Sequence, residues 1–221
     1  NMKPLIALNL KVYNESLGEK GIALSQIASE VSLLTGVRII VCPQSVDLKE
    51  ACQIGIDVFA QHVDAAEPGA HTGSITVEAI KQVGCKGSLV NHSEHRIAEE
   101  HAAKTIERLK KASLESIVCT QDPAESAILS KYEPSFIAVE PPELIGKGVS
   151  VSTAKPEIVS GAVQAVSKVN STPVLCGAGV SNAEDIKKAI ELGAKGVLLA
   201  SAYAKAKDPK KLLLSMAEAI K

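Results

Sequence analysis

Short apolar runs of strand length recur along the chain, at 5–8, 37–41, 58–60, 88–90, 116–119, 136–139, 173–176 and 196–200. They are rich in β-branched residues and nearly continuous, the pattern of strands covered on both faces, as in a parallel sheet. Most of the intervening segments carry apolar residues at helical spacing. In 20–36, Ala23, Ile27, Val31 and Leu34 recur on one face and Gly36 can stop the helix. In 181–193, Ser181 or Asn182 can cap the start, Ile186, Ala189 and Ile190 share a face, and Gly193 ends it. Segments 97–112 and 207–220 repeat the design. Eight strand-then-helix units predict a single (β/α)₈ barrel over residues 2–221, with an open doubly wound sheet as the rival arrangement. No low-complexity linker interrupts the series.

Composition narrows the class. The 221 residues include 46% hydrophobic and 22% charged, ordinary for a globular chain that can bury a large core. Aromatics are only 2% and tryptophan is absent, so Ile, Val, Leu and Ala must fill that core. The formal net charge is −1 without a long basic or acidic run, which points to neither a nucleic acid nor a membrane surface as partner. Five cysteines form no C-x-x-C pair, and Cys42, Cys119 and Cys176 fall inside apolar runs. Free thiols in a reducing compartment are expected. Without a signal-peptide pattern or an apolar stretch near the ~18 residues of a membrane span, the expected location is cytoplasmic. Asn1, ahead of Met2, is set aside.

A (β/α)₈ barrel builds its active site from the loops that follow the strands, so those loops are where chemistry is sought. Asn9 and Lys11 follow the first run, "NHSEHR" (91–96) the fourth, and Glu140 with "PPELIGKG" the sixth. A base (Glu140), a histidine (His92) and a cation (Lys11) thereby converge on one mouth. A lone lysine is more often solvated, a lone histidine structural and a lone glutamate a loop brace; the joint placement is what carries the functional reading. Gly177, Gly179, Ala200 and Ser201 form small-residue turns opening onto helices, where backbone N–H groups favour a phosphate dianion; the bland alternative is that they only permit tight turns. Pro141-Pro142 stiffens one end of the loop after Glu140, while Gly146 and Gly148 free the other. With Leu144 and Ile145 between them, the loop reads as a lid, or simply as a long connection.

"NLK" (9–11), "NHSE" (91–94), "VEPPELIG" (139–146) and "CGAG" (176–179), in that order, resemble the triosephosphate isomerase family over about residues 9–201. The shortened helices and the "LCGAG…GVLLAS" ending resemble its compact archaeal-type branch. The resemblance implies an intramolecular aldose–ketose isomerase of glycolysis and gluconeogenesis. It would interconvert dihydroxyacetone phosphate and D-glyceraldehyde 3-phosphate through an enediolate, with no metal or organic cofactor. It implies Glu140 as the base, His92 as the electrophile and Lys11 as the positive charge, with Asn9 helping to place the substrate. Backbone groups at Ile145, Gly146, Gly179, Ala200 and Ser201 would hold the phosphate. Ser93 is expected to cap a helix begun by "SEHR", whose positive end would act on His92, and Glu94 to accept from Lys11. The loop around Thr72 would reach a neighbouring subunit in a homodimer or a homotetramer.

Some positions depart from the family pattern. Leu10 stands where many members carry an aromatic, Lys147 replaces a small hydroxyl residue in the lid, Ala202 stands where glycine is expected, and His95 replaces a longer polar residue. His62, Asp64 and His71 suggest a metal, but no further ligand recurs at supporting spacing, so no metal site is expected. Two alternatives stay open: a weakened barrel that only binds a sugar phosphate, and another phosphosugar isomerase or an aldolase using Lys11 as a Schiff-base nucleophile.

Overall fold

In the computed structural model, which describes residues 2–221, the apolar runs become eight strands. They are β1 (Leu5–Asn9), β2 (Arg38–Cys42), β3 (Asp57–Ala60), β4 (Gly87–Val90), β5 (Glu115–Thr120), β6 (Phe136–Val139), β7 (Val174–Gly177) and β8 (Gly196–Leu199). Each pairs in parallel with the next, and β8 returns to β1 with Leu5 opposite Gly196 and Leu8 opposite Leu199. The sheet is closed, which removes the open doubly wound alternative. Closure leaves no strand edge unpaired.

Among the described residues ten α-helices surround it: α1 (Glu19–Thr35), α2 (Leu48–Ala51), α3 (Val77–Val83), α4 (Glu99–Lys111), α5 (Pro123–Ser130), α6 (Val151–Ala154), α7 (Pro156–Ser167), α8 (Ala183–Glu191), α9 (Ser201–Ala204) and α10 (Pro209–Glu218). Several are a single turn or two, so the outer ring is thin. Gly36 ends α1 in the left-handed conformation at φ 72°. Asn182, and not Ser181, caps α8, its side chain accepting from the N–H of Asp185 at 3.0 Å. None of the described helices is long and apolar enough to cross a membrane.

One expected boundary is wrong, and the reason is local. The helix expected from Ser93 begins only at Glu99, with Ala98 at its N-cap. His95 N–H bonds back to the His92 carbonyl at 2.7 Å, and Ile97 N–H donates to the Asn91 side-chain oxygen at 3.0 Å. The Asn91 side chain thus competes for the backbone and holds 92–97 as a loop. Ser93 caps nothing.

Alternation along each strand sorts side chains into two cores. Leu5, Ala7, Ile40, Cys42, Phe59, Leu89, Ile117, Cys119, Phe136, Ala138, Leu175 and Leu198 form one buried cluster drawn from all eight strands, the filling of the barrel. The intervening Ile6, Leu8, Ile39 and Val41 pack outward with helical residues such as Ala28, Val31 and Ile186. Phe59 and Phe136 are the largest side chains of the inner cluster, and Gly87 leaves room for the Phe59 ring, since a Cβ there would meet it at 2.8 Å. Two residues before Ile40, Phe59 and Ile117 on the same faces come Arg38, Asp57 and Glu115. They close the N-terminal end: Arg38 Nε donates to Asp57 at 2.8 Å, and its two terminal nitrogens to the two oxygens of Glu115.

Candidate active site

At the C-terminal end of β1 the chain turns sharply. Asn9 is buried, and its side-chain oxygen accepts the N–H of Lys11 at 3.0 Å. Lys11 itself adopts φ 47°, a conformation that L-residues rarely hold. The amide of Gln61, just beyond β3, donates to the carbonyls of Lys11 (2.8 Å) and Cys42 (3.0 Å), locking the turn from behind. The Lys11 side chain is only 11% exposed, and its ammonium donates to Glu94 Oε1 at 2.9 Å. Such a charge-assisted bond holds a flexible side chain in one place.

His92 follows β4, after Asn91 at φ 62°. The Asn91 amide donates to the Cys119 carbonyl and to Glu125, both at 3.1 Å, which ties the β4 loop to β5 and α5. His92 Nδ1 accepts the N–H of Glu94 at 3.1 Å. That leaves the ring proton on Nε2, and Nε2 faces Glu140 Oε1 at 3.5 Å. The tautomer is therefore set by a backbone N–H within the turn. The helix terminus expected to act on this ring does not abut it, because α4 starts at Glu99.

Glu140 stands immediately beyond β6, its N–H bonded to the Thr120 carbonyl at 2.7 Å. The side chain is 7% exposed, yet Oε1 has no hydrogen-bond partner among the described residues. Buried polar atoms are nearly always paired, so this oxygen is an exception that calls for a reason. Cys119 lies beside it, its thiol pushed well above the usual range by burial and then by the Glu140 charge. Gly177, on β7, makes room for the carboxylate: a Cβ there would collide with the Glu140 side chain.

Asn9, Lys11, His92 and Glu140 share a cleft of about 480 Å³, open to solvent, with Ile145, Gly146, Gly179, Ala200 and Ser201. Ala178 takes φ 70°, and Gly179 at φ 69° passes directly under the Val149 carbonyl, leaving no space for a side chain. The stretch 146–149 is exposed, while Ser150 beyond it is buried and caps α6 by accepting from Ser152 N–H. A second open cleft shares Asn9, Lys11 and His92 and extends to Gln61, His62, Ile75, Glu94 and His95. In it His62 stacks on His95 with ring centroids 3.7 Å apart, and its Nε2 lies 3.0 Å from Asp64 Oδ1. Among the described residues no group of three His, Cys, Asp or Glu side chains could hold a metal ion. Ser93 and Thr72 line neither cleft; Thr72 sits in an exposed stretch, 69–74.

The profile of the family described as triosephosphate isomerase matches residues 4–220. A triosephosphate isomerase of Methanothermus fervidus is 50% identical over 213 residues, covering 96% of each chain. One from Methanocaldococcus jannaschii is 50% identical over 206 residues, 92% of this chain and 94% of its own, and one from Methanothermobacter thermautotrophicus is 45% identical over 215 residues, 96% and 94% respectively. This chain belongs to the triosephosphate isomerase family.

Against that family pattern, the departures fall in places of unequal consequence. Leu10 is wholly buried in the outer core, a packing change. Lys147 is exposed on the loop, whereas Ala202 lines the cleft beside Ser201. The sequence reading missed Gln61, the bracing role of Asn91, and Tyr13, which also lines the cleft, and it took Gly177 as a tight turn and not as the room for Glu140. Gln61 and Asn91 carried a usable signal: each is an amide one residue past an apolar run. Gly177 carried only half of one, because the side chain it accommodates comes from another strand.

Proposed function

We propose that this protein interconverts dihydroxyacetone phosphate and D-glyceraldehyde 3-phosphate, with residues 2–221 acting as one catalytic domain. The observation that carries the reading is Glu140 Oε1: buried, without a hydrogen-bond donor, and 3.5 Å from His92 Nε2 in a cleft that also holds Lys11. A carboxylate left in that state is suited to take a proton from carbon. In the proposed reaction Glu140 removes a proton from the carbon next to the carbonyl, and negative charge develops on the carbonyl oxygen. His92 Nε2–H donates to that oxygen and Lys11 supplies positive charge, both worth most where water is excluded. His92 then moves a proton between the two oxygens of the enediolate, and Glu140 returns its proton to the neighbouring carbon. The cycle balances with these side chains and consumes no cofactor.

The phosphate lies against Ile145, Gly146, Gly179, Ala200 and Ser201. The first N–H groups of a helix have no intrahelical partner, which at α9 leaves those of Ser201 and Ala202 for an anion. The loop at 145–149 closes over the bound substrate; its exposed glycines, Gly146 at φ 72° and Gly148 at φ 70°, suit a moving segment. An aldolase using Lys11 as an amine nucleophile fits less well, since its ammonium is engaged by Glu94. The protein works as a homodimer or a homotetramer of such dimers in the cytoplasm, with Thr72 and its loop entering the second cleft of a partner. Support comes from the exposed 69–74 stretch and from Val12 and Val46, 78% and 83% exposed, of which Val12 lines that cleft. Glu94 holds Lys11 through its carboxylate and His92 through its backbone N–H.

The test is a coupled assay of glyceraldehyde 3-phosphate isomerisation, wild type beside Glu140→Gln, with phosphoglycolate binding measured on both. Turnover in the wild type and a loss of about 10³-fold in the variant, with binding retained, is the expected outcome. A wild type that binds phosphoglycolate without turning substrate over would reduce the site to a sugar-phosphate receptor.

A further inference from the structure

At the N-terminal ends of β3 and β4, away from the cleft, two cysteines meet. We propose that Cys52 and Cys85 are a reversible redox pair that closes to a disulfide when a small disulfide oxidant reaches Cys52. Their sulfurs lie 3.7 Å apart, one at the end of α2 and the other in the turn between α3 and β4. Bond formation requires an approach to about 2.05 Å, within reach of a small side-chain rotation and a slight shift of the turn. That turn already lies tight against Cys52. Gly84 adopts φ 104°, and a Cβ at that position would stand 3.3 Å from the Cβ of Cys52.

The two thiols divide the work. Cys52 is partly exposed, and its pKa is lowered by the hydrogen bond from the Cys85 thiol and by the positive charge of Lys86, against the opposing effect of burial. Cys85 is 2% exposed, and its thiol is held up by the same contact and by burial. The accessible sulfur is thus the one inclined to be a thiolate, the form that attacks a disulfide. The remaining cysteines contrast with this pair. Cys42, Cys119 and Cys176 are buried in strands with thiols pushed up chiefly by desolvation, that of Cys176 to about 12.

With oxidised glutathione the steps balance. The Cys52 thiolate attacks one glutathione sulfur, forming a mixed disulfide and releasing one glutathione thiolate. Cys85 gives up its proton to solvent and attacks the Cys52 sulfur, releasing the second. Two protein thiols are oxidised by two electrons, and one glutathione disulfide is reduced to two thiols. The new bond joins residues 33 apart and encloses β3, the loop bearing Thr72 and α3. A cross-link of that span restricts the unfolded chain. It stands at the end of the barrel opposite Glu140, so activity should not change.

The experiment incubates the full chain with excess oxidised glutathione, then measures intact mass, thiols titrated after unfolding, Tm and isomerase activity. Wild type should lose two of its five thiols, retain no glutathione, and revert with dithiothreitol. Peptide mapping should place the bond between Cys52 and Cys85, and Tm should rise by about 5–10 °C. Cys85→Ser should stop at a stable glutathione adduct on Cys52, and Cys52→Ser should take up none and form no cross-link. Five titratable thiols after oxidation, a wild-type adduct that never closes, or a bond to another cysteine would each overturn the assignment.

Discussion

The two ends of this barrel handle charge in opposite ways. At the N-terminal end, Arg38, Asp57 and Glu115 form a closed set in which both carboxylates accept from one guanidinium. At the C-terminal end, Glu140 keeps a buried oxygen without a donor, although His92 and Lys11 stand in the same cleft. Backbone strain divides likewise. Lys11, Asn91 and Ala178 hold positive φ within two residues of the ends of β1, β4 and β7, whereas Ser113 and Glu133, at the opposite end, adopt it in ordinary helix-to-strand reversals. One end has its charges satisfied; the other leaves a buried carboxylate oxygen without a donor beside an open cleft, as the proposed function requires. Unmet polar capacity costs stability and is tolerated where a ligand supplies the missing partner.

The strongest test of this contrast is Glu140→Gln. Besides the ~10³-fold loss of turnover, its Tm should equal or exceed that of the wild type, because a buried carboxylate with an oxygen that lacks a donor contributes little to stability. A large fall in Tm would show that Glu140 is part of the fold's support and break the comparison. Gly177→Ala comes next, since its Cβ would push directly on Glu140. A displaced base loses about 10²-fold in kcat, and overpacking costs roughly 1–3 kcal/mol; kcat and Tm together would separate the two effects. Shortening 145–148 should raise phosphate release per turnover several-fold, since the open intermediate expels its phosphate before it is reprotonated. An unchanged partition between isomerised product and free phosphate would remove the loop's protective role.

The smallest effect belongs to the other end. Arg38→Met should leave kcat and KM unaltered while lowering stability by about 1–2 kcal/mol. The figure is modest because all three side chains are about a third exposed and screened by water. The loss should shrink at high salt, read by denaturant unfolding. Lost activity in this variant, per folded molecule, would mean that the two ends are coupled.

The chain's own pattern went far. Continuous apolar runs alternating with helical periodicity determined the strand-and-helix order, because each element buries a face whose spacing is local. Strand-end placement also named Asn9, Lys11, His92 and Glu140, since loops after the strands of such a barrel share one mouth. The start of α4 was misjudged, because the competing Asn91 side chain captures a backbone N–H six residues away. What only the tertiary structure decided lies between elements. Closure of β8 on β1, the room that Gly177 leaves for Glu140, the Gln61 clamp on Lys11, and the meeting of Cys52 with Cys85 each join residues far apart in sequence. Such contacts depend on the register in which separate strands and helices pack, and periodicity within one element carries no information about that register.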